Sequence, residues 1–141
     1  MRERNLSGAD LHAAQLSGAN LTGAQLVAAA LRNAELTFAI LQDADLRDVR
    51  LDRADLGAAD LERANLSGAR LQRAKLVGAI MRDTDLTRAD LRSADLRSVD
   101  MRGAKMGSTN LRGAIFNQST LLPYDLDRRT AEQQEGMVFR P

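Results

Sequence analysis

The chain has no cysteine and no tryptophan, and its only aromatic rings are those of Phe38, Phe116, Phe139, Tyr124 and the single histidine, His12. The missing thiols exclude disulfides, thiolate metal sites and cysteine nucleophiles. With so few aromatics, any core must be aliphatic, and the stacking platforms that hold single-stranded nucleic acid are lacking. One imidazole in the whole chain leaves a hydroxyl nucleophile a single candidate histidine base. No run of about 18 apolar residues is present, so no spanning helix is expected. The first residues, MRERNLSGAD, are charged and carry no apolar signal region, which makes a cytoplasmic location the expectation. A formal net charge of +1 rules out a global acidic or basic field.

What the chain does have is a period of five. From Leu6 to Leu126 every fifth residue is large and apolar, Leu everywhere except Met81, Met101, Met106 and Phe116. Two residues before each of these, from Ala9 to Ser119, stands a small residue, Ala except at Val49, Thr84, Val99, Thr109 and Ser119. Five fits neither regular element. A helix advances about 100° per residue, so five-residue steps would scatter the leucines round its surface. A flat strand would alternate them between faces, since five is odd. A bent strand satisfies the pattern. In extended chain, residues two apart point the same way, so Ala44 and Leu46 share a face; between Leu46 and Val49 the chain must turn. The corner falls on the two residues after each Leu, where Gly8, Gly18, Gly23, Gly57, Gly68, Gly78, Gly103, Gly107 and Gly113 are found with many Ser, Asn and Asp. Corners of one hand wind the chain into stacked coils with the leucines inside, a solenoid in which Leu beside Ala fills the interior.

The units ADLHA, ANLTG, ADLGA, ANLSG and ADLRS resemble the pentapeptide-repeat family, with its motif A(D/N)LXX, over about residues 5–126. The resemblance implies an all-β fold, a right-handed quadrilateral parallel β-helix with four pentapeptides per coil. On that model the chain makes about six coils and a rod roughly 29 Å long. Departures are mild; the site before Leu holds Ile40, Ile80, Ile115, Arg50, Arg70, Lys75 and Lys105 in place of Asp or Asn. The expected organisation is a β-helix over 1–126 followed by a short capping helix and tail over 127–141. There Asp127 is placed to cap a helix running to Glu135, Gly136 to end it, and Met137, Val138 and Phe139 to lie over the last coil, with Phe116 filling that end. At the other end two readings stand: the first residues cover the coil themselves, or an open edge pairs with a second copy as a homodimer through an end coil.

If residues 20 apart stack, the charges sort unevenly. The face carried by Leu11, Leu31, Leu51, Leu71, Leu91 and Leu111 collects Arg32, Arg50, Arg53, Arg70, Arg73, Arg92 and Arg112 against Asp10, Asp52 and Asp90. Arg50, Arg53, Arg70, Arg73 and Arg92 are therefore the candidate residues for an anionic or acidic protein partner; the competing reading is an ordinary solvated face, and nucleic acid is disfavoured for want of aromatics. The least charged face shows Phe38 and Val77 beside Gly57, Ala58 and Gly78, a candidate apolar contact.

Chemistry has little support. His12 sits at an outward corner and, with Ser7 and Ser17 nearby, makes no oriented triad. Asp43, Asp45 and Asp48, and again Asp83 and Asp85, have D-x-D spacing, but the repeat itself generates it, so no metal site is expected. No glycine-rich phosphate loop of the G-x-x-x-x-G-K-[ST] or G-x-G-x-x-G type occurs, and no cofactor or small-molecule substrate is expected. The leading expectation is a non-catalytic structural or protein–protein interaction module, not an enzyme. The alternative comes from the resemblance: some family members imitate duplex DNA in shape and negative charge and bind DNA gyrase, conferring quinolone resistance. That mechanism needs an acidic rod, which a net charge of +1 and a basic face do not provide.

Overall fold

The computed structural model describes residues 1–133 and 136–141. Its dominant feature is a ladder of single-residue parallel bridges. Asn5 pairs with Gln25, Gln25 with Asp45, Asp45 with Asn65, and so on in steps of 20 residues as far as Asp95 with Ile115. Four five-residue units thus make one turn of the coil. Strands longer than one residue do not form in this part, because a corner interrupts the extended chain every five residues.

Four backbone hydrogen bonds recur in each unit, three between coils and one within the corner. Around Leu46, the Leu46 N–H donates to Asn65 C=O on the next coil at 2.8 Å and the Asn65 N–H returns to Ala44 C=O at 2.9 Å. Between them, the Asp48 N–H donates to Ser67 C=O at 3.0 Å. The corner closes on itself, with the small residue donating to the preceding Leu carbonyl, as Ala44 does to Leu41 at 3.1 Å. Every second corner residue from position 3 to 113 has φ between 52° and 74°, the left-handed value that a type II turn needs at that position.

The Asp or Asn before Leu has a local task. Its side-chain oxygen accepts the backbone N–H of the first corner residue two positions on. Asn65 does so for Ser67 at 3.0 Å, Asp60 for Glu62 at 3.1 Å and Asp85 for Thr87 at 2.9 Å. This is an Asx-type turn that satisfies a donor the coil ladder leaves over. Arg, Lys and Ile at the same site cannot supply it.

Inside, the leucine and alanine rows are sealed: Leu21 to Leu76 and Ala24 to Ala79 are at most 1% exposed. Where Thr replaces Ala the hydroxyl is satisfied, Thr84 Oγ1 donating to Met81 C=O and Thr109 Oγ1 to Leu86 C=O, each at 2.7 Å. Buried hydroxyls therefore cost little here.

The five-residue phase breaks once. Asp100 pairs with Leu121, 21 residues on, so Leu121 occupies the outward site and is 43% exposed, while Leu122 packs on the core. The expectation that Leu121 points inward and Ser119 fills a small-residue site is corrected. The corner at 117–120 is one residue longer. The Asn117 side chain accepts N–H groups from Ser119 at 3.1 Å and Ser98 at 3.0 Å, and Thr120 Oγ1 donates to Leu96 C=O at 3.0 Å. The doubled Leu121-Leu122 lets the chain slip by one and still put a leucine inside.

Three short elements lie around and beyond this corner: β1 (Ile115–Phe116) before it, then α1 (Arg128–Gln133) and β2 (Val138–Phe139). Asp127 accepts the Thr130 N–H at 2.7 Å at the start of α1. The expected continuation of the helix over 134–135 lies outside the described residues. Gly136 has φ 63°. β2 runs parallel to β1, Ile115 opposite Val138 and Phe116 opposite Phe139. Phe116 is 2% exposed and meets Phe139 edge-on at 5.6 Å, with the Arg128 guanidinium 3.4 Å from the centre of the Phe139 ring.

Leu66→Asp or Leu71→Asp buries an uncompensated charge and is expected to unfold the protein, a loss of several kcal/mol. Arg73→Ala at the surface should change stability by about 0.5 kcal/mol or less. Denaturant titration followed by circular dichroism separates the two; similar losses would contradict the inside–outside assignment.

Glycines divide in the same assay. Gly68 has φ 70°, and an added Cβ would land on the Asp48 carboxylate one coil below. Gly107 has no left-handed requirement, and its added Cβ would meet only Thr87 Cγ2 at 3.6 Å and Oγ1 at 3.7 Å. Gly68→Ala should cost about 1–2 kcal/mol or more, whereas Gly107→Ala should be neutral or stabilise by up to about 1 kcal/mol.

Candidate functional site

Stacking at 20-residue intervals turns sequence positions into columns running along the rod. Arg50 and Arg70 are bridge partners on adjacent coils. One corner further, Arg53 and Arg73 occupy consecutive levels of a left-handed column, both with φ 59°, with Asn33 below them. The coil spacing brings such neighbours to about 4.8 Å at the backbone. The equivalent column at the opposite corner shows the alternative. There Asp43 lies below Arg63 and takes its guanidinium in a two-pronged ion pair at 2.8 and 3.0 Å. Arg53 and Arg73 have no such carboxylate between them.

The five candidate arginines are in different states. Arg92 is bound by Asp90, Nε to Oδ1 at 2.9 Å and Nη2 to Oδ2 at 2.8 Å. Gln72 Nε2 adds a donor to the same carboxylate at 2.7 Å. Arg70 faces Asp52 at 3.5 Å, and Arg32 donates to the other oxygen of Asp52 at 3.3 Å. Among the described residues, Arg50, Arg53 and Arg73 make no ion pair within 4.0 Å. Arg32, Asn33, Asp52, Arg53, Arg70, Gln72 and Arg73 line an open surface cleft of about 270 Å³. Four guanidiniums thus surround one carboxylate. Arg50 and Arg92 lie beside this cleft on the same face and do not line it. Asn33 and Gln72 were not among the sequence candidates. A search of all polar residues 20 positions from Arg53 and Asp52, in place of charges alone, would have found them.

Phe38 and Val77 stand two levels apart along one corner edge, separated by Gly57-Ala58, and are 70% and 40% exposed. Phe38 holds φ 58°, an uncommon conformation for a bulky side chain. The aspartates with D-x-D spacing are used one by one: Asp43 by Arg63, Asp45 by Arg47 at 2.8 and 2.7 Å, and Asp85 by the Thr87 N–H. Among the described residues no group of three or more His, Asp or Glu is arranged to hold a metal ion. His12 is exposed, its backbone N–H donating to Asp10 at 3.1 Å. No helix among the described residues is long and apolar enough to cross a membrane.

The match to a family model settles the relationship. The model for pentapeptide repeats matches in eight copies, including residues 4–43, 29–68, 64–103 and 79–118. The chain belongs to the pentapeptide repeat family. Among solved members it is similar to a pentapeptide repeat protein from Nostoc PCC 7120, 34% identical with a TM-score of 0.71, over 75% of this chain and 84% of that one. It is also similar to a pentapeptide repeat protein of the Arabidopsis thaliana thylakoid lumen, 33% identical with a TM-score of 0.68, over 70% and 68% of the two chains. QnrB1, a plasmid-mediated fluoroquinolone resistance protein, matches over 99% of this chain and 83% of its own at 19% identity and a TM-score of 0.54; that likeness is one of fold. No curated protein matches.

The repeat also sets the acid behaviour. Where Arg follows Asp-Leu or Asp-Met, its side chain folds back on the Asp: Arg92 on Asp90, Arg97 on Asp95 and Arg102 on Asp100. The arginine hydrogen bond holds each of these carboxyls below the ordinary value of 3.8, partly opposed by desolvation. A folded-state pKa that is depressed contributes stability present above the unfolded value and lost as pH falls through the folded one. Thermal stability should therefore fall as pH drops below about 4. In an Arg92→Gln, Arg97→Gln, Arg102→Gln variant that fall should be shallower. Melting curves between about pH 5 and 2.5 check this, and an unchanged slope would remove the arginines as the cause.

Proposed function

We propose that this pentapeptide repeat protein is a non-catalytic interaction module. In this reading it is a right-handed rod of about six coils over residues 1–126, with 127–141 as a capping helix and tail, and it works through its sides. One observation supports this most: the interior is filled by Leu and Ala at 0–1% exposure through the central coils, while one outer face keeps arginines without carboxylate partners. Reaction sites are concave and partly apolar, and this interior has no room for one. The partner that suits the face is an acidic protein surface, met by Arg50, Arg53, Arg70 and Arg73, with Arg92 at its border. Phe38 and Val77 offer a smaller apolar contact on another side. The gyrase-binding alternative lacks the acidic surface that imitation of DNA requires.

The test is affinity capture from a lysate of the source organism, read by mass spectrometry, with wild type beside an Arg50→Ala, Arg53→Ala, Arg70→Ala, Arg73→Ala variant. A protein held by wild type and lost by the variant is the expected result. The same proteins on both baits would refute the basic face as the contact. Inhibition of gyrase supercoiling by the purified protein would favour the alternative.

A further inference from the structure

We propose that the cleft between Arg53 and Arg73 is a binding site for a tetrahedral, doubly charged oxyanion of the phosphate class. The proposal rests on the reading of this face as an interaction surface and names the chemical group it holds.

Charge is the first argument. Arg32, Arg53, Arg70 and Arg73 line the cleft with Asp52 as its one acidic residue. Asp52 is shared by Arg32 at 3.3 Å and Arg70 at 3.5 Å, so it fixes the cleft's walls and leaves the Arg53 and Arg73 charges uncompensated. Like charges stacked on adjacent strands oppose folding, and this column puts two arginines where Asp43 and Arg63 show that an opposite pair fits. A dianion between Arg53 and Arg73 would reverse the sign of that interaction. A single carboxylate would leave most of the excess charge.

Geometry is the second. Each guanidinium presents a planar fork of N–H donors and no acceptor. Two forks emerging about 4.8 Å apart converge on a group with three terminal oxygens better than on a carboxylate with two. Asn33, one level below Arg53, adds an amide that can donate. Gln72 is less available, since its Nε2 is committed to Asp90 at 2.7 Å. No ring lines the cleft, which speaks against bases and for the phosphate group itself.

The test titrates ¹⁵N-labelled protein with inorganic phosphate and, at matched ionic strength, with acetate, following the arginine Nε–H and the backbone signals by NMR. Saturable shifts centred on Arg53, Arg73 and Asn33 with phosphate, and not with acetate, are expected. Arg53→Gln with Arg73→Gln should weaken binding at least about tenfold, the loss of charge-assisted bonds. Arg102→Gln, on another face and paired with Asp100, should leave it unchanged. Phosphate should raise the melting temperature of wild type and not of the double variant. Equal shifts with acetate, or phosphate binding that survives the double variant, would overturn the proposal. A flexible Gly/Ser peptide carrying one phosphoserine separates the sources. Tighter binding than inorganic phosphate assigns the site to a phosphorylated protein segment, and equal binding assigns it to the free anion; both uphold the site. If phosphate fails while affinity capture still finds a partner lost on removing the arginines, this inference falls and the interaction module stands. If phosphate binds and capture finds nothing, the reverse holds.

Discussion

Each corner closes through one hydrogen bond, from the small residue's N–H to the preceding leucine's carbonyl, and the remaining structure depends on it. The bond needs a left-handed residue at the second corner position, found from Glu3 to Gly113. It also needs a small side chain at the inward site, because the turn brings that residue close beneath the neighbouring coil. Once the corner repeats every fifth residue, four of them return the chain to its starting direction, and a 20-residue register follows. Leucines then stack on leucines and alanines on alanines, and the core fills without long strands or helices. The longer corner at 117–120 shows the dependence directly. One extra residue moves Leu121 out and Leu122 in, and the bridge to Asp100 spans 21 residues.

The same register governs the surface. Residues 20 apart in sequence become neighbours along the rod, so electrostatics is decided by columns. Asp43 below Arg63 makes a neutral pair; Arg53 below Arg73 makes a positive one. The Asp and Asn sites before Leu belong first to the backbone, through the turn they complete, and only then to the arginines that fold back on them. This explains why a chain with nearly balanced charge still carries a concentrated positive cleft: most carboxylates are engaged within their own unit or by the unit above, and the Arg53–Arg73 column has none to spare.

A fold of this kind places few limits on function, since its interior is occupied and its sides accept many side chains. The useful question for such a rod is which columns depart from what the repeat requires. Arg53 and Arg73 depart in charge, two like charges stacked with no carboxylate in their column. Phe38 departs in backbone preference and exposure, on an edge where Gly57 and Ala58 leave it standing alone.

The five-residue period was enough to determine the inward rows and the corners, because each is a local requirement repeated many times and one residue out of phase breaks it; the number of corners per coil, and with it the 20-residue stacking, came only from the resemblance to the pentapeptide-repeat family. The crowding of arginines on one face followed from that stacking. Tertiary structure decided the rest. It moved Leu121 outward, because the Asn117 and Thr120 side chains build a longer corner that the apolar period does not register. It separated Arg92, held by Asp90, from Arg53 and Arg73, and it brought in Asn33 and Gln72, because pairing depends on which side chains reach one another across coils. A period records where the backbone must go; the partner each charged side chain takes is settled only when neighbouring coils lie against it.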